Sequence, residues 1–410
     1  MSRADVRTRL SSLIRYTVPP SVPLSCLRLS HRRRRGESCP YQQPLNDRRK
    51  VILMAYLDYD LATGQRRSAA QEWALHRPLG PDFLEWHYFT APLSGANGHE
   101  YFLFLCSFNF SGETYRNEIT KGHPEQLPAD LVPIVTSAHL SDYTDAMVRG
   151  GDGLSLVDPL AAHNESRNAL VVRGGPSEYD IDLAYEGDNL IVRARTDIYE
   201  CELTCSGAEE VMWMRDSLDK DGFIREGGQS ERSFYYSLPR LPFRGWLRYT
   251  DDEGDEVRTD VTGQGWVDRQ WGEFMTRSWE WTSFRFADGD RLNTYNFGNG
   301  YQVCTFLDRE GVTTSYPGFR VIQNGYLRTP ADSWVSWGWD YEVPVKDGWY
   351  RLVPMSDKDI ISSDMNTFFE GLSRVLDREG RQVGWAVTES MDTRVMHNGP
   401  HDLFNHFPKS

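Results

Sequence analysis

From Met54 onward, short runs of alternating apolar and polar residues recur for roughly three hundred residues, each ended by Gly, Asn or Asp, with almost no stretch keeping a helical apolar period. Such text restricts the chain to an all-β architecture. Residues 100–106 form one such run, and residues 179–185 turn through Glu186-Gly187-Asp188-Asn189 into residues 190–194, a strand, a polar turn and a return strand. Residues 245–249 turn at 251–255, and residues 281–286 turn through Asp288-Gly289-Asp290 into 291–297. Helical text is confined to residues 128–136 and 209–217, each enough for one short helix. Evenly spaced hairpins build barrels or sandwiches. A closed barrel of about eight strands can enclose a ligand cavity, whereas a sandwich fills its middle with side chains. The pattern leaves both open.

At 410 residues the chain exceeds one ordinary core and suits two domains. Thirteen Trp and 13% aromatic residues fit either a well-filled β core or an aromatic-lined cavity, since Trp buries a large area and keeps an N–H for a wet edge. No apolar run reaches the length of about eighteen residues that a membrane-crossing helix needs, so a soluble protein without stable membrane insertion is expected. The net charge of −14 is unevenly spread: residues 1–50 carry +9, leaving −23 for the remainder. A body so acidic repels phosphate backbones, and nucleic acid is not an expected partner despite the basic run from His31 to Arg35. Residues 1–53 read as a disordered basic leader, or as translated sequence upstream of a start at Met54. Arg15, Pro19, Pro20 and Pro23 break any secretory core there.

Six Cys stand at 26, 39, 106, 201, 205 and 304. They form no CxxC pair and have no His cluster, so neither a zinc site nor a disulfide framework is expected, and a reducing cytoplasmic compartment fits. The chain lacks a Gly-rich phosphate loop, a GxSxG elbow and HExxH. No nucleotide cofactor or metal is implied.

Two stretches concentrate chemistry. Glu85-Trp86-His87-Tyr88-Phe89 follows a Gly-Pro turn, and Gly263-Gln264-Gly265-Trp266-Val267-Asp268-Arg269-Gln270-Trp271-Gly272 places an acid, a guanidinium, an amide and two indoles between glycines that permit close backbone approach. With Tyr235-Tyr236-Ser237-Leu238-Pro239-Arg240, the Trp-rich stretch 279–290, and the closing segments Phe369-Glu370-Gly371 and Gly384-Trp385-Ala386-Val387-Thr388-Glu389, these resemble in order the landmarks of the carotenoid 1,2-hydratase (hydroxyneurosporene synthase) family and its AttH-like relatives. The resemblance spans roughly residues 70–395. It implies two lipocalin-like β-barrel or sandwich domains, at 70–265 and 266–400, with the Asp268 segment near their junction. Relatives include a fungal isoflavonoid hydratase and fungal cyclases that perform Diels–Alder closures. The hydratase pattern has His after the Asp. Here Arg269 stands there, as in the cyclases, and Arg exchanges no proton near neutral pH.

Adding water to an alkene, or removing it from an alcohol, needs a neutral acid in a dry pocket, and burial raises a carboxyl pKa to supply one. Asp268 is the first candidate. Two arrangements are open: an Asp268–Arg269 ion pair pinning the turn, which would lower the acid's pKa, or an Arg269 that points away. Glu85 and His87 share one strand face and Trp86 and Tyr88 the other; either pair can face the barrel interior, with His87 a base or ligand-orienting group, or part of a satisfied buried network. Asn293 and Tyr295 likewise share a face, Tyr295 as a donor to a ligand oxygen or as packing. Trp266, Trp271, Trp279 and Trp281 are cavity-wall or core residues whose indole faces can stabilise cationic charge. Trp334, Trp337 and Trp339 read as second-domain strand residues, and Glu370 and Glu389 as landmarks without an assigned role. The expected function is hydration or dehydration at a carbon–carbon bond of a hydrophobic polyene, terpenoid or polyketide. The alternatives are a pericyclase that folds a polyene by orientation, with Asp268, Arg269 or Tyr295 polarising a carbonyl, and a non-catalytic carrier of the same class of ligand.

Overall fold

The computed structural model describes residues 68–391, apart from 71, 79, 121–126, 160–162, 165–168, 173–178, 215–221, 225–231, 274–278, 299, 331, 347 and 363–366. The leader 1–53, Met54, Cys26 and Cys39 lie outside the described residues.

The all-β expectation holds: two curled antiparallel sheets form a two-domain lipocalin-like fold. The first has thirteen strands. Its path runs Met147–Val157, Val132–Asp142, Glu100–Asn109, Phe83–Gly95, Glu256–Glu273, Arg232–Thr250, Tyr199–Cys205, Asn189–Arg195, Asp180–Glu186, Ala169–Val172 and His163–Asn164. Met212–Trp213 and Phe223–Ile224 pair onto Arg232–Thr250. The second sheet runs Thr313–Tyr316, Gln302–Leu307, Arg291–Phe297, Trp279–Phe286, Gln382–Ser390, Thr367–Leu376, Trp349–Pro354, Trp339–Glu342 and Arg320–Gln323, with Ile360–Ser362 beside Thr367–Leu376. The hairpins expected at 179–194, 245–260 and 281–297 all form.

Two long strands carry the first sheet. Arg232–Thr250 and Glu256–Glu273 pair over almost their whole length, with a register shift between Leu238 and Leu241. Pro239 falls in that irregularity, where the absence of its N–H removes nothing from the ladder. Glycine allows the same ladder to pack closely: a side chain at Gly263 would start 2.3 Å from the Pro92 carbonyl oxygen, and one at Gly265 would start 2.7 Å from the Phe89 ring.

Three expectations need correction. Residues 128–136 do not form a helix; strand Val132–Asp142 begins inside them. All eleven of its residues are buried, so it shows no polar face to reveal a period of two. Residues 209–217 hold the short strand Met212–Trp213, and positions 215–217 lie outside the described residues. The described α-helix is instead Glu113–Ile119. The boundary expected at 265/266 falls inside strand Glu256–Glu273, all of which belongs to the first sheet; the sheets change between Glu273 and Trp279.

Three apolar clusters result. One fills the near-barrel into which the first sheet curls, with Leu103, Leu183, Leu203 and Trp73. Another, with Phe284, Trp339 and Tyr341, belongs to the second sheet. The third draws Trp86, Tyr88 and Trp266 from the first sheet and Trp281, Tyr295 and Phe368 from the second, so it lies between them. Cys106, Cys201, Cys205 and Cys304 are buried free thiols. Among the described residues no helix is long and apolar enough to cross a membrane.

Candidate functional site

Strand register sorts the candidate residues into two sets. On the first sheet Ser237, Asp268, Tyr88, Cys106 and Ser137 face one another in a single row across five strands, and Tyr235, Gln270, Trp86, Phe108 and Val135 make the next row on the same face. On the second sheet Tyr295, Trp281, Glu389 and Glu370 form the facing row. Between these rows lies a cavity of about 140 Å³, walled by Trp86, Tyr88, Phe104, Phe108, Trp279, Trp281, Tyr295 and Phe368, with Asp268, Gln270, Glu389 and Glu118 as polar groups. None of the described residues lining it is Lys, Arg or His. The cavity therefore lies outside the first barrel, between the sheets.

Asp268 is 4% exposed and its carboxylate accepts three hydrogen bonds. Trp266 Nε1 donates to Oδ1 at 2.7 Å, Ser237 Oγ donates to the same oxygen, and Tyr235 OH donates to Oδ2 at 2.7 Å. Tyr235 is itself fixed from the second sheet, because Trp281 Nε1 (2.7 Å) and Asn293 Nδ2 (2.9 Å) both donate to its oxygen. An indole N–H can only donate, so the phenol proton is directed at Asp268. Burial pushes the Asp268 carboxyl up to about 7, against the pull of its three donors and of the Arg285 guanidinium. Arg285 is also buried, with its Nη2 on Thr90 Oγ1 at 2.9 Å and its guanidinium 5.7 Å from the Trp266 ring centre. Burial lowers its pKa to about 10, which leaves it charged at neutral pH.

Two further carboxyls share this region. Tyr88 OH donates to Glu370 Oε1 at 2.7 Å and Trp279 Nε1 donates to Glu389 Oε1 at 2.8 Å. Glu370 and Glu389 are direct cross-strand partners. Burial first, and then the adjacent Glu389 charge, raises Glu370 well above the carboxylate range; burial likewise raises Glu389.

The other face of the same strands holds Glu85, His87, Arg269 and Trp271, away from the cavity and inside the first barrel. Arg269 points away from Asp268. It donates to the carbonyls of Trp86 (2.6 Å), Ala74 (3.1 Å) and Glu72 (3.2 Å) and to Glu85 Oε1 (2.8 Å). His76 Nδ1 and Asn109 Nδ2 complete the shell around Glu85. Although burial opposes ionisation of Glu85, Arg269 and His76 overcome it and lower its pKa. His87 bonds the Trp73 carbonyl at 2.9 Å and is held neutral, its pKa lowered by burial and by Arg269. Trp271 stacks on His76, ring centres 4.0 Å apart.

Of the residues singled out in the sequence, the structure brings Asp268, Trp86, Tyr88, Trp279, Trp281 and Tyr295 to the cavity wall and sets Trp266 and Asn293 directly behind it. It separates Glu85, His87, Arg269 and Trp271 from them. Tyr235, Ser237 and Gln270 escaped notice as site residues. The signal for Tyr235 and Ser237 was their alternate spacing in the 235–240 landmark, which puts both on one strand face.

The AttH-like family model matches residues 66–389. Among solved structures, an AttH protein of Nitrosomonas europaea superposes with a TM-score of 0.64 at 18% identity, over 81% of this chain and 98% of its own. Kievitone hydratase of Nectria haematococca superposes with a TM-score of 0.57 at 12% identity, over 83% of this chain and 97% of its own. At these identities the likeness is one of fold. No curated protein sequence matches the chain.

Proposed function

The chain belongs to the AttH-like family, and from that premise we propose that it is a hydro-lyase, adding water to or removing it from a carbon–carbon bond of an uncharged hydrophobic substrate held between the sheets. The observation that carries this reading is Asp268: a buried carboxyl at an aromatic-walled cavity, pushed up to about 7 and so able to exchange a proton at neutral pH. Hydration is redox-neutral. A proton adds to one alkene carbon, the cation on its neighbour is stabilised by the faces of Trp86, Trp279 and Trp281, and water adds there and releases its own proton. Among the described residues the wall carries no Lys, Arg or His, which disfavours substrates bearing carboxylate or phosphate. The fold shared with kievitone hydratase supports the same class. The pericyclase reading depended partly on Arg269, and that guanidinium is turned into the barrel.

The test is mass-resolved product analysis with β-myrcene, kievitone and an acyclic carotenoid as probes. Wild type should change a probe by the mass of one water, and Asp268→Asn should keep binding it while losing turnover. An isomeric product of unchanged mass would support cyclisation instead. Retention of every probe unaltered by both proteins would support a carrier.

A further inference from the structure

Hydration moves two protons in one turnover, one onto carbon and one off water, and Asp268 accounts for a single position on the wall. Glu389 also lines the cavity, on the opposite sheet. The hydrogen bonds differentiate the two. Asp268 accepts three donors, which favours its anion; among the described residues Glu389 accepts from one, Trp279. Glu389 also stands beside Glu370 on the neighbouring strand, and two carboxyls in one buried place cannot both ionise, so this pair retains a proton. Glu370 accepts from Tyr88 and Glu389 is the member on the cavity wall.

Resting on the hydro-lyase reading above, we propose that Glu389 is a second catalytic carboxyl, the acid that protonates the alkene, while Asp268 is the base that takes the proton from the attacking water. The Glu389 O–H bond breaks and a C–H bond forms from the alkene π pair. A water lone pair forms the C–O bond at the neighbouring carbon, and that water's O–H bond breaks toward Asp268. The product has gained H and OH, Asp268 carries the proton that Glu389 gave, and passage of that proton back to Glu389 resets the site. Dehydration is the reverse, with Asp268 the acid and Glu389 the base.

The experiment is deuterium uptake into the alkene of β-myrcene, kievitone or an acyclic carotenoid in heavy water, followed across pH for wild type, Glu389→Gln and Glu389→Asp. Expected are uptake by wild type with a bell-shaped profile, a fall of about 10²–10⁴-fold in Glu389→Gln, and loss of the alkaline limb from its residual rate. Glu389→Asp should keep part of the rate with a displaced alkaline limb, and it decides the matter if the Gln variant fails to fold. Wild-type rate and an unchanged alkaline limb in the folded variants would overturn the assignment to Glu389 alone. Absence of uptake by wild type from all three probes would instead overturn the hydro-lyase reading itself, and the assignment with it.

Discussion

Tyr88 of the first sheet gives its phenol proton to Glu370 of the second across 2.7 Å, and both residues are buried. Replacing Tyr88 by Phe leaves that carboxyl without its donor, and among the described residues Glu370 Oε2 already has no hydrogen-bond partner. The expected loss is about 1–3 kcal/mol, the penalty for an unsatisfied buried polar group. Urea unfolding of Tyr88→Phe measures it; unchanged stability would mean the bond contributes nothing across the sheets.

Tyr235→Phe removes one of the three donors to Asp268 without removing the ring. The carboxylate is then less favoured and its pKa moves upward. The acid limb of the activity profile should shift toward alkaline pH, with kcat affected more than KM. Trp281→Phe should move the limb less, because it takes away only the donor behind Tyr235. A shift of the same size in both variants would count against this order of action.

Arg269→Met strands Glu85 as an uncompensated buried charge. The expected destabilisation is about 3–5 kcal/mol, read as a lowered thermal midpoint, with probe affinity of the folded fraction unchanged because Arg269 is turned away from the cavity. Adding Glu85→Gln should recover part of the loss. Tight coupling of Arg269 to turnover at constant stability would contradict the placement.

Stability should fall as pH rises through neutrality. Asp268 has an ordinary pKa of 3.8 and one of about 7 in the fold, so the native chain binds the extra proton between those values. The stability of the protonated form is fully present below about 4 and declines as pH rises through 7, by on the order of 4 kcal/mol for this group. Glu85 acts in the opposite direction: its lowered pKa contributes stability above 4.5 that is lost only in stronger acid. Thermal melts should therefore show a maximum on the mildly acidic side, and Asp268→Asn should flatten the descent toward alkaline pH. An unaltered slope in that variant would mean Asp268 does not titrate as described.

The strands were legible where a polar, Gly-containing turn closed a hairpin, as between Asp180–Glu186 and Asn189–Arg195. Strand Val132–Asp142 is buried on both faces, so no alternation set it apart from the helix expected at residues 128–136. Helix Glu113–Ile119 spans seven residues, too few to show a helical period. At the site, the motif pointed to Asp268, and a period of two was enough to separate Arg269 from it once the segment was read as a strand and not as a turn. Tyr235 and Glu370 were harder. Their closeness to Asp268 and Tyr88 depends on strand pairing and on contact between two sheets, over sequence separations of 33 and 282 residues, and no local pattern carries that information.

The alternation that turns Asp268 outward and Arg269 inward also separates two kinds of evolutionary freedom. Substitutions along the outward rows can reshape the reaction space while the barrel's own packing stays intact, and the aromatic wall can be redrawn by either sheet independently. Gain or loss of a single residue in strand Glu256–Glu273 has the opposite effect. It would turn the guanidinium toward the substrate and the acid into the barrel core, so lineages sharing this architecture should diversify by exchanging side chains here and keep the length of this strand constant.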